Sequence, residues 1–261
     1  MLFRSNDGTS AQAFLEDCKN AEFAISSLET RPGTRTPAAP FTTSTLQQEA
    51  GRKLGMSVKA TMTVAQKLYE SGKITYMRTD SVNLSDFARD AAKKEIISSF
   101  GENYAHPRVF KSKNKGAQEA HEAIRPTNMA VKTIDGDASE KRLYELIWKR
   151  TLASQMADAQ LENTTATVNI STRSENLVAK GQVVKFDGFL KVYMEGTDDE
   201  ESDESGVLPP LHEGQILDLR SVVAQEKFTQ KPARYSEASL VRKMEELGIG
   251  RPSTYASTIS T

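Results

Sequence analysis

The hydrophobic period of this chain changes near residue 163 and again near residue 235. Residues 10–20, with Ala13, Phe14 and Ala21 apolar, predict a short helix, and Glu22–Leu28, with Phe23 and Ile25 alternating, predicts a strand. Arg31–Pro40 holds three prolines and a glycine and reads as a linker. Leu46–Leu54 and Ser57–Ser71 then follow the helical period, separated by Gly55 and Met56, with Ser57 placed as an N-cap. Two helices joined by so tight a turn have the form of a helix-turn-helix, although most such pairs are plain helical hairpins. Lys73–Arg78 is a short extended run. Ser85 caps a helix reaching about Phe100, and Glu140–Ala159 forms a longer one with Leu143, Ile147 and Trp148 on one face. Past Asn163 the period is two: Thr165–Thr172, Leu177–Phe186, Leu190–Met194 and Gln215–Ala224 predict an antiparallel β unit turned at Gly181, Asp187-Gly188 and Gly196. Ser236 and Ser239 begin a further helix carrying Leu240, Val241, Met244 and Leu247, closed by Gly248-Ile249-Gly250. A last helix starts near Pro252, and because Ser257–Thr261 carries no stop signal the chain reads as truncated there.

At 261 residues there is room for one large domain or two ordinary ones. No apolar run approaches the roughly 20 residues of a membrane-spanning helix, which excludes a membrane protein, and the start MLFRSNDG does not read as a signal peptide. A single cysteine, Cys18, allows no internal disulfide or cysteine-based zinc site and fits a reducing, cytoplasmic compartment. His106, His121 and His212 are widely spaced, so no metal is expected to be bound by this chain alone. The near-neutral net charge conceals a polarity. Residues 41–152 carry 19 basic and 13 acidic side chains, 195–226 carry 1 and 10, and 227–261 carry 6 and 3, so two basic stretches flank an acidic one, which suits either a polyanion-facing surface beside a solvated one or ordinary charge scatter. The run Thr197–Gly206, with six acids and no apolar side chain, predicts a solvated loop.

Three polar clusters carry candidate chemistry. In Tyr76-Met77-Arg78-Thr79-Asp80-Ser81, an extended backbone puts Tyr76 and Arg78 on one face. A phenol has a pKa near 10 and is a poor nucleophile at neutral pH; a neighbouring guanidinium favours the phenolate and can hold a phosphate through two hydrogen bonds. That pairing suits attack of a tyrosine on a phosphodiester, although a Tyr-x-Arg pair on a strand is more often a packed ring with a surface cation. The second cluster runs from Gln118 to Thr127, where His121, Glu122 and Arg125 can hold phosphate and move protons, or simply form an exposed polar loop. The third, Gly248–Tyr255, places free backbone N–H groups and Arg251, Ser253 and Thr254 before a helix, a phosphate-binding arrangement or an ordinary turn.

Taken together and in order, PAAPFTTSTLQQEA (37–50), TMTVAQKLYESGKITYMRTDS (61–81), AQEAHEAIRPT (117–127) and GIGRPSTYA (248–256) strongly resemble the bacterial type IA DNA topoisomerases over nearly the whole chain. Met77 within YMRTDS resembles the topoisomerase I branch; the topoisomerase III branch usually has proline there. The resemblance implies an α+β, multidomain fold in which a helical, winged-helix-like domain carrying the tyrosine (36–162) is inserted into a β-rich arch (1–35 and 163–235), with 236–261 a truncated part of the DNA-groove domain. It implies that Tyr76 cleaves one DNA strand and holds its 5′ phosphate as a phosphotyrosine, and that Arg78 stabilises the scissile phosphate. His121, Glu122 and Arg125 would support DNA binding and phosphate handling, and Arg251, Ser253 and Thr254 would line the groove for the single strand. The implied activity is ATP-independent relaxation of negatively supercoiled DNA by a monomeric cytoplasmic enzyme.

The family's N-terminal domain, with its acidic triad for magnesium and a catalytic glutamate, has no counterpart in this sequence, and neither has its zinc-ribbon tail. The chain therefore reads as an excised middle piece, predicted inactive alone, with magnesium bound by the absent domain and a 236–261 segment that packs poorly. The competing reading is a non-catalytic DNA-binding helix-turn-helix module, which predicts base-edge contacts from a recognition helix and indifference to changes at Tyr76.

Overall fold

A computed structural model describes residues 8–110, 121–194, 196, 208–226, 228 and 231–260. The described residues fall into two compact units. One is drawn from Met1–Arg35, Gln160–Phe186 and Glu201–Ala233, the other from Thr36–Ala159, Asp187–Glu200 and Arg234–Thr261. The acidic run 197–206 and Gln118–Ala120 of the second polar cluster lie outside the described residues.

The first unit comprises α1 (Gly8–Lys19), β1 (Phe23–Arg35), β2 (Ala159–Ile170), β3 (Asn176–Phe186) and β4 (Ile216–Leu217), the strands forming an antiparallel sheet in the order β3-β2-β1-β4. Strand alternation puts Phe23, Ile25, Val168 and Ile170 on one face, and α1 covers it with Phe14 and Cys18. Burial pushes the Cys18 thiol pKa up, against the pull of Arg173, which makes this a packing residue rather than a reactive one. Three expectations need correction. Gly181, read as a turn, lies inside β3 and pairs with Thr164, because the two strands run on through it without a break in register. The predicted linker at 31–40 is strand as far as Arg35: β4 is only two residues long, so the second half of β1 is an edge, where Pro32 and Gly33 are tolerated. The strand predicted over 215–224 shrinks to Ile216–Leu217, because the residues beyond are mostly exposed and have no face to bury.

The second unit is helical: α2 (Thr43–Leu54), α3 (Val58–Glu70), α4 (Asp86–Phe100), α5 (Ala138–Ser154), α6 (Glu237–Glu246) and α7 (Tyr255–Ser260). Helix starts are set by side-chain caps at Thr42, Ser57, Ser85, Asp137 and Ser236. Helix α2 begins three residues before the predicted Leu46, because Thr42 and Thr45 form a capping box inside the TTST run. Gly55, left-handed at φ 64°, turns the chain between α2 and α3. The core joins Phe41, Leu46, Leu68, Met77, Ile96 and Ile124 to the α5 residues Leu143, Ile147 and Leu152.

The strand predicted over 190–194 is instead a 3₁₀ turn at Gly188–Lys191 that carries Phe189 and Tyr193 into this helical core. Gly188 has φ 49°, and a Cβ there would lie 2.5 Å from the Ala157 carbonyl oxygen, so the close approach admits only glycine. The described part of the 236–261 segment, residues 236–260, does not pack poorly: Val241, Met244 and Tyr255 are buried against Val58. Polar contacts fix it as well, with Ser44 donating to Glu245 at 2.6 Å and the Val58 N–H donating to Glu237 at 2.7 Å.

Candidate active site

The tyrosine segment is launched by the end of α3. Gly72, at φ 70°, lets its own N–H reach the Tyr69 carbonyl while the Lys73 N–H reaches that of Leu68. This is a Schellman closure, and it turns the chain sharply into 73–81. There the segment pairs with 123–127 through an Ile74–Pro126 bridge, with the Thr75 N–H donating to Arg125 O and the Thr127 N–H to Lys73 O. Two threonines clamp either side of the tyrosine. Thr75 Oγ1 donates to Ala123 O at 2.7 Å and accepts the Arg125 N–H at 3.0 Å. Thr43 Oγ1, fully buried, donates to Met77 O at 2.8 Å and accepts the Thr79 N–H at 2.8 Å. Ile74, Met77 and Thr79 are thereby turned inward, which leaves Tyr76 40% exposed beside an exposed Arg78. Among the described residues the Tyr76 hydroxyl has no hydrogen-bond partner, and Arg78 makes neither a hydrogen bond nor an ion pair. Its guanidinium is uncommitted, in contrast to that of Arg125 close by in the chain's second cluster, which faces Glu122.

The second cluster leads into the stretch that bridges to this segment. His121 is exposed. Glu122 accepts the Ser85 N–H at 2.7 Å and an Arg125 N–H at 2.6 Å, so it ties the start of α4 to Arg125. Partial burial works to raise the Glu122 pKa, but hydrogen bonds from Arg125 and Ser85 outweigh it and hold the carboxyl below its ordinary range. Glu122 is therefore an ionised anchor. Arg125 is mostly buried and also donates to Pro126 O, so its guanidinium is committed to this corner.

The third cluster reaches the same neighbourhood. Arg251 lines a polar cleft of about 30 Å³ with Thr42, Ser44, Thr79, Asp80, Glu245, Pro252 and Tyr255, which brings it to the Thr79-Asp80 end of the tyrosine segment. Thr254 Oγ1 accepts the Arg251 N–H at 2.8 Å and fixes the turn before α7, while Ser253 is exposed and does not line the cleft. The cleft has space for about two waters, so it is a corner of a larger surface and not a small-molecule pocket.

Sequence reasoning missed Thr43, Thr75 and Tyr69. Both threonines stand next to motif residues, but nothing in a linear sequence says which backbone groups a hydroxyl will meet 34 or 50 positions away. Tyr69 falls on the α3 pattern as one more aromatic, yet its ring meets that of Tyr76 edge to face at 5.2 Å.

Among the described residues no three of His, Cys, Asp and Glu come together as a metal ion would require. No helix among them is long and apolar enough to cross a membrane. Residues 3–261 match the family described as DNA topoisomerase. The chain is 52% identical to DNA topoisomerase 1 of Zymomonas mobilis, over 97% of this chain and 21% of that protein. To that of Rickettsia bellii it is 47% identical, over 99% and 34%. A solved structure of full-length topoisomerase I from Thermotoga maritima is similar at a TM-score of 0.82 and 37% identity, covering 99% of this chain and 43% of that one. The chain thus spans between 21% and 34% of the length of these two curated relatives. A family match over nearly all of the chain, together with the tyrosine segment it contains, means that this chain belongs to the bacterial type IA DNA topoisomerases.

Proposed function

We propose that the chain is the strand-cleaving part of an enzyme that relaxes negatively supercoiled DNA without ATP, and that Tyr76 is its nucleophile. The observation that carries this reading is a part-exposed Tyr76, two positions from an exposed Arg78, on a backbone held by Thr43 and Thr75. The Tyr76 oxygen attacks a backbone phosphorus and gives up its proton to water. The bond to the 3′ oxygen of the preceding nucleotide breaks, and that oxygen takes a proton from a donor outside the described residues. The 5′ phosphate remains on the tyrosine until the 3′ hydroxyl attacks it in reverse and reseals the strand. Arg78 holds the phosphate and offsets the charge that builds on it. His121 and Arg251 border the same surface and contact the single strand; Ser253 and Thr254 shape its approach. Glu122 keeps Arg125 and the His121 stretch in place.

Magnesium belongs to residues outside this chain in this reading. The enzyme acts as a cytoplasmic monomer on a single-stranded stretch of DNA, and the α2–α3 pair forms part of a winged-helix-like module. This chain alone binds single-stranded DNA weakly, with an affinity that falls as salt rises, and does not relax supercoils. The test is a chimaera in which this chain replaces the matched segment of the Zymomonas mobilis enzyme, assayed for relaxation with magnesium. Relaxation that disappears with Tyr76→Phe supports the reading. A chimaera indifferent to Tyr76→Phe favours the non-catalytic DNA-binding module.

A further inference from the structure

Tyr69 closes α3 and Tyr76 stands on the segment that follows, and their rings meet with centroids 5.2 Å apart and planes inclined at 68°. We infer that Tyr69 is a positioning residue for the nucleophile, an inference that rests on the reading of Tyr76 above. The backbone of the tyrosine segment is fixed on both sides by Thr75 and Thr43, so the remaining freedom of Tyr76 is the rotation of its own side chain. Tyr76 is 40% exposed, and among the described residues Tyr69 is its one aromatic neighbour. Tyr69 itself is held by the last turn of α3, whose Schellman closure takes up its carbonyl through the Gly72 N–H at 2.8 Å. A ring on a helix end is a fixed wall, and the edge-to-face preference of two aromatic quadrupoles turns that wall into an orienting contact. Orientation matters here because an attacking oxygen must lie in line with the bond it breaks.

Tyr69 is 41% exposed, so the pair contributes little to the core and its loss leaves the fold standing. The Tyr69 hydroxyl has no partner among the described residues, which assigns the effect to the ring and makes phenylalanine an adequate substitute. A second use of an exposed ring is to stack a base of the bound strand. Stacking and positioning separate in kinetics: the first alters how much DNA is needed, the second how fast bound DNA is cut.

The experiment is single-turnover cleavage of a single-stranded oligonucleotide by the Zymomonas chimaera described above, run as wild type, Tyr69→Phe, Tyr69→Leu and Tyr76→Phe, with ring proton shifts of Tyr76 measured in this chain. Tyr69→Leu is expected to slow cleavage at saturating DNA by about 2- to 12-fold, the worth of one edge-to-face pair, with the half-saturating DNA concentration unchanged. Tyr69→Phe is expected to stay within about twofold of wild type on the same reasoning. The upfield ring-current shift of Tyr76 should vanish with Leu and persist with Phe. A wild-type rate for Tyr69→Leu, equal losses for Phe and Leu, or a rise in half-saturating DNA at unchanged maximal rate would each overturn the assignment. Cleavage by Tyr76→Phe would remove the nucleophile reading itself, and is told apart because it does not depend on residue 69.

Discussion

Removing one buried hydroxyl offers a direct way to loosen the tyrosine segment without touching its exposed face. In Thr43→Val the side chain keeps its shape and loses Oγ1, which donates to Met77 O at 2.8 Å and accepts the Thr79 N–H at 2.8 Å. The Thr79 carbonyl is spared, because the Thr43 N–H still reaches it at 2.9 Å. One donor and one acceptor are left bare at a site where Thr43 is 0% and Thr79 3% exposed, beyond easy reach of water. At about 1–3 kcal/mol for each buried group without a partner, and with some relief from local relaxation, the loss should be about 2–4 kcal/mol. That is less than the stability of an ordinary domain, about 5–15 kcal/mol, so the chain stays folded with a weakened segment. Denaturant titration measures the total, and amide exchange at Thr79 reports the local effect, with protection falling by about 30-fold or more. Thr43→Ser keeps the hydroxyl and should retain most of the stability. If Thr43→Val left both the denaturation midpoint and the Thr79 amide unchanged, the clamp would not be holding the segment.

Three further outcomes follow from other parts of the structure. Gly188→Ala combines a left-handed φ of 49° with a Cβ placed 2.5 Å from the Ala157 carbonyl oxygen, so it should destabilise by about 3 kcal/mol or more and free Phe189 from the core, seen as a lower denaturation midpoint. The depressed pKa of Glu122 contributes stability that is present above the ordinary carboxylate pKa and fades as pH falls through the lower folded value; Glu122→Gln should therefore be less stable than wild type at pH 7, with the gap closing in acid. Val241→Ala removes two methyl carbons from a fully buried position in the α6 cluster and should cost about 1–3 kcal/mol, measured by denaturant titration; no cost would mean that α6 is not docked.

How much of this was legible in the sequence depended on range. Caps and period marked the helices: Ser57, Ser85 and Ser236 open α3, α4 and α6 as the sequence says, because a cap is decided within four residues. Alternation within Tyr76-Met77-Arg78 likewise predicted one exposed face. What failed was decided at a distance. Leu190–Met194 alternates like a strand, yet Phe189 and Tyr193 are drawn into the helical core, and tertiary packing overrode the local period. Residues 236–260 read as a stub in sequence, and only coordinates place Val241 and Met244 against Val58. The same limit applies to the site. Tyr76 and Arg78 are two positions apart and could be paired on paper, whereas the commitments of Glu122 to Ser85 and of Thr43 to Met77 join segments 37 and 34 residues apart.

The covalent bond proposed between Tyr76 and DNA can be located by mapping the adduct. The Zymomonas chimaera is incubated with magnesium and an oligonucleotide labelled at its 3′ end, trapped in denaturant and digested with trypsin, and the labelled peptide is sequenced by mass spectrometry. The label should sit on the peptide Ile74–Arg78, attached at Tyr76 through a 5′ phosphate, and should be lost in Tyr76→Phe. An adduct on another residue, or one that survives Tyr76→Phe, would contradict the assignment.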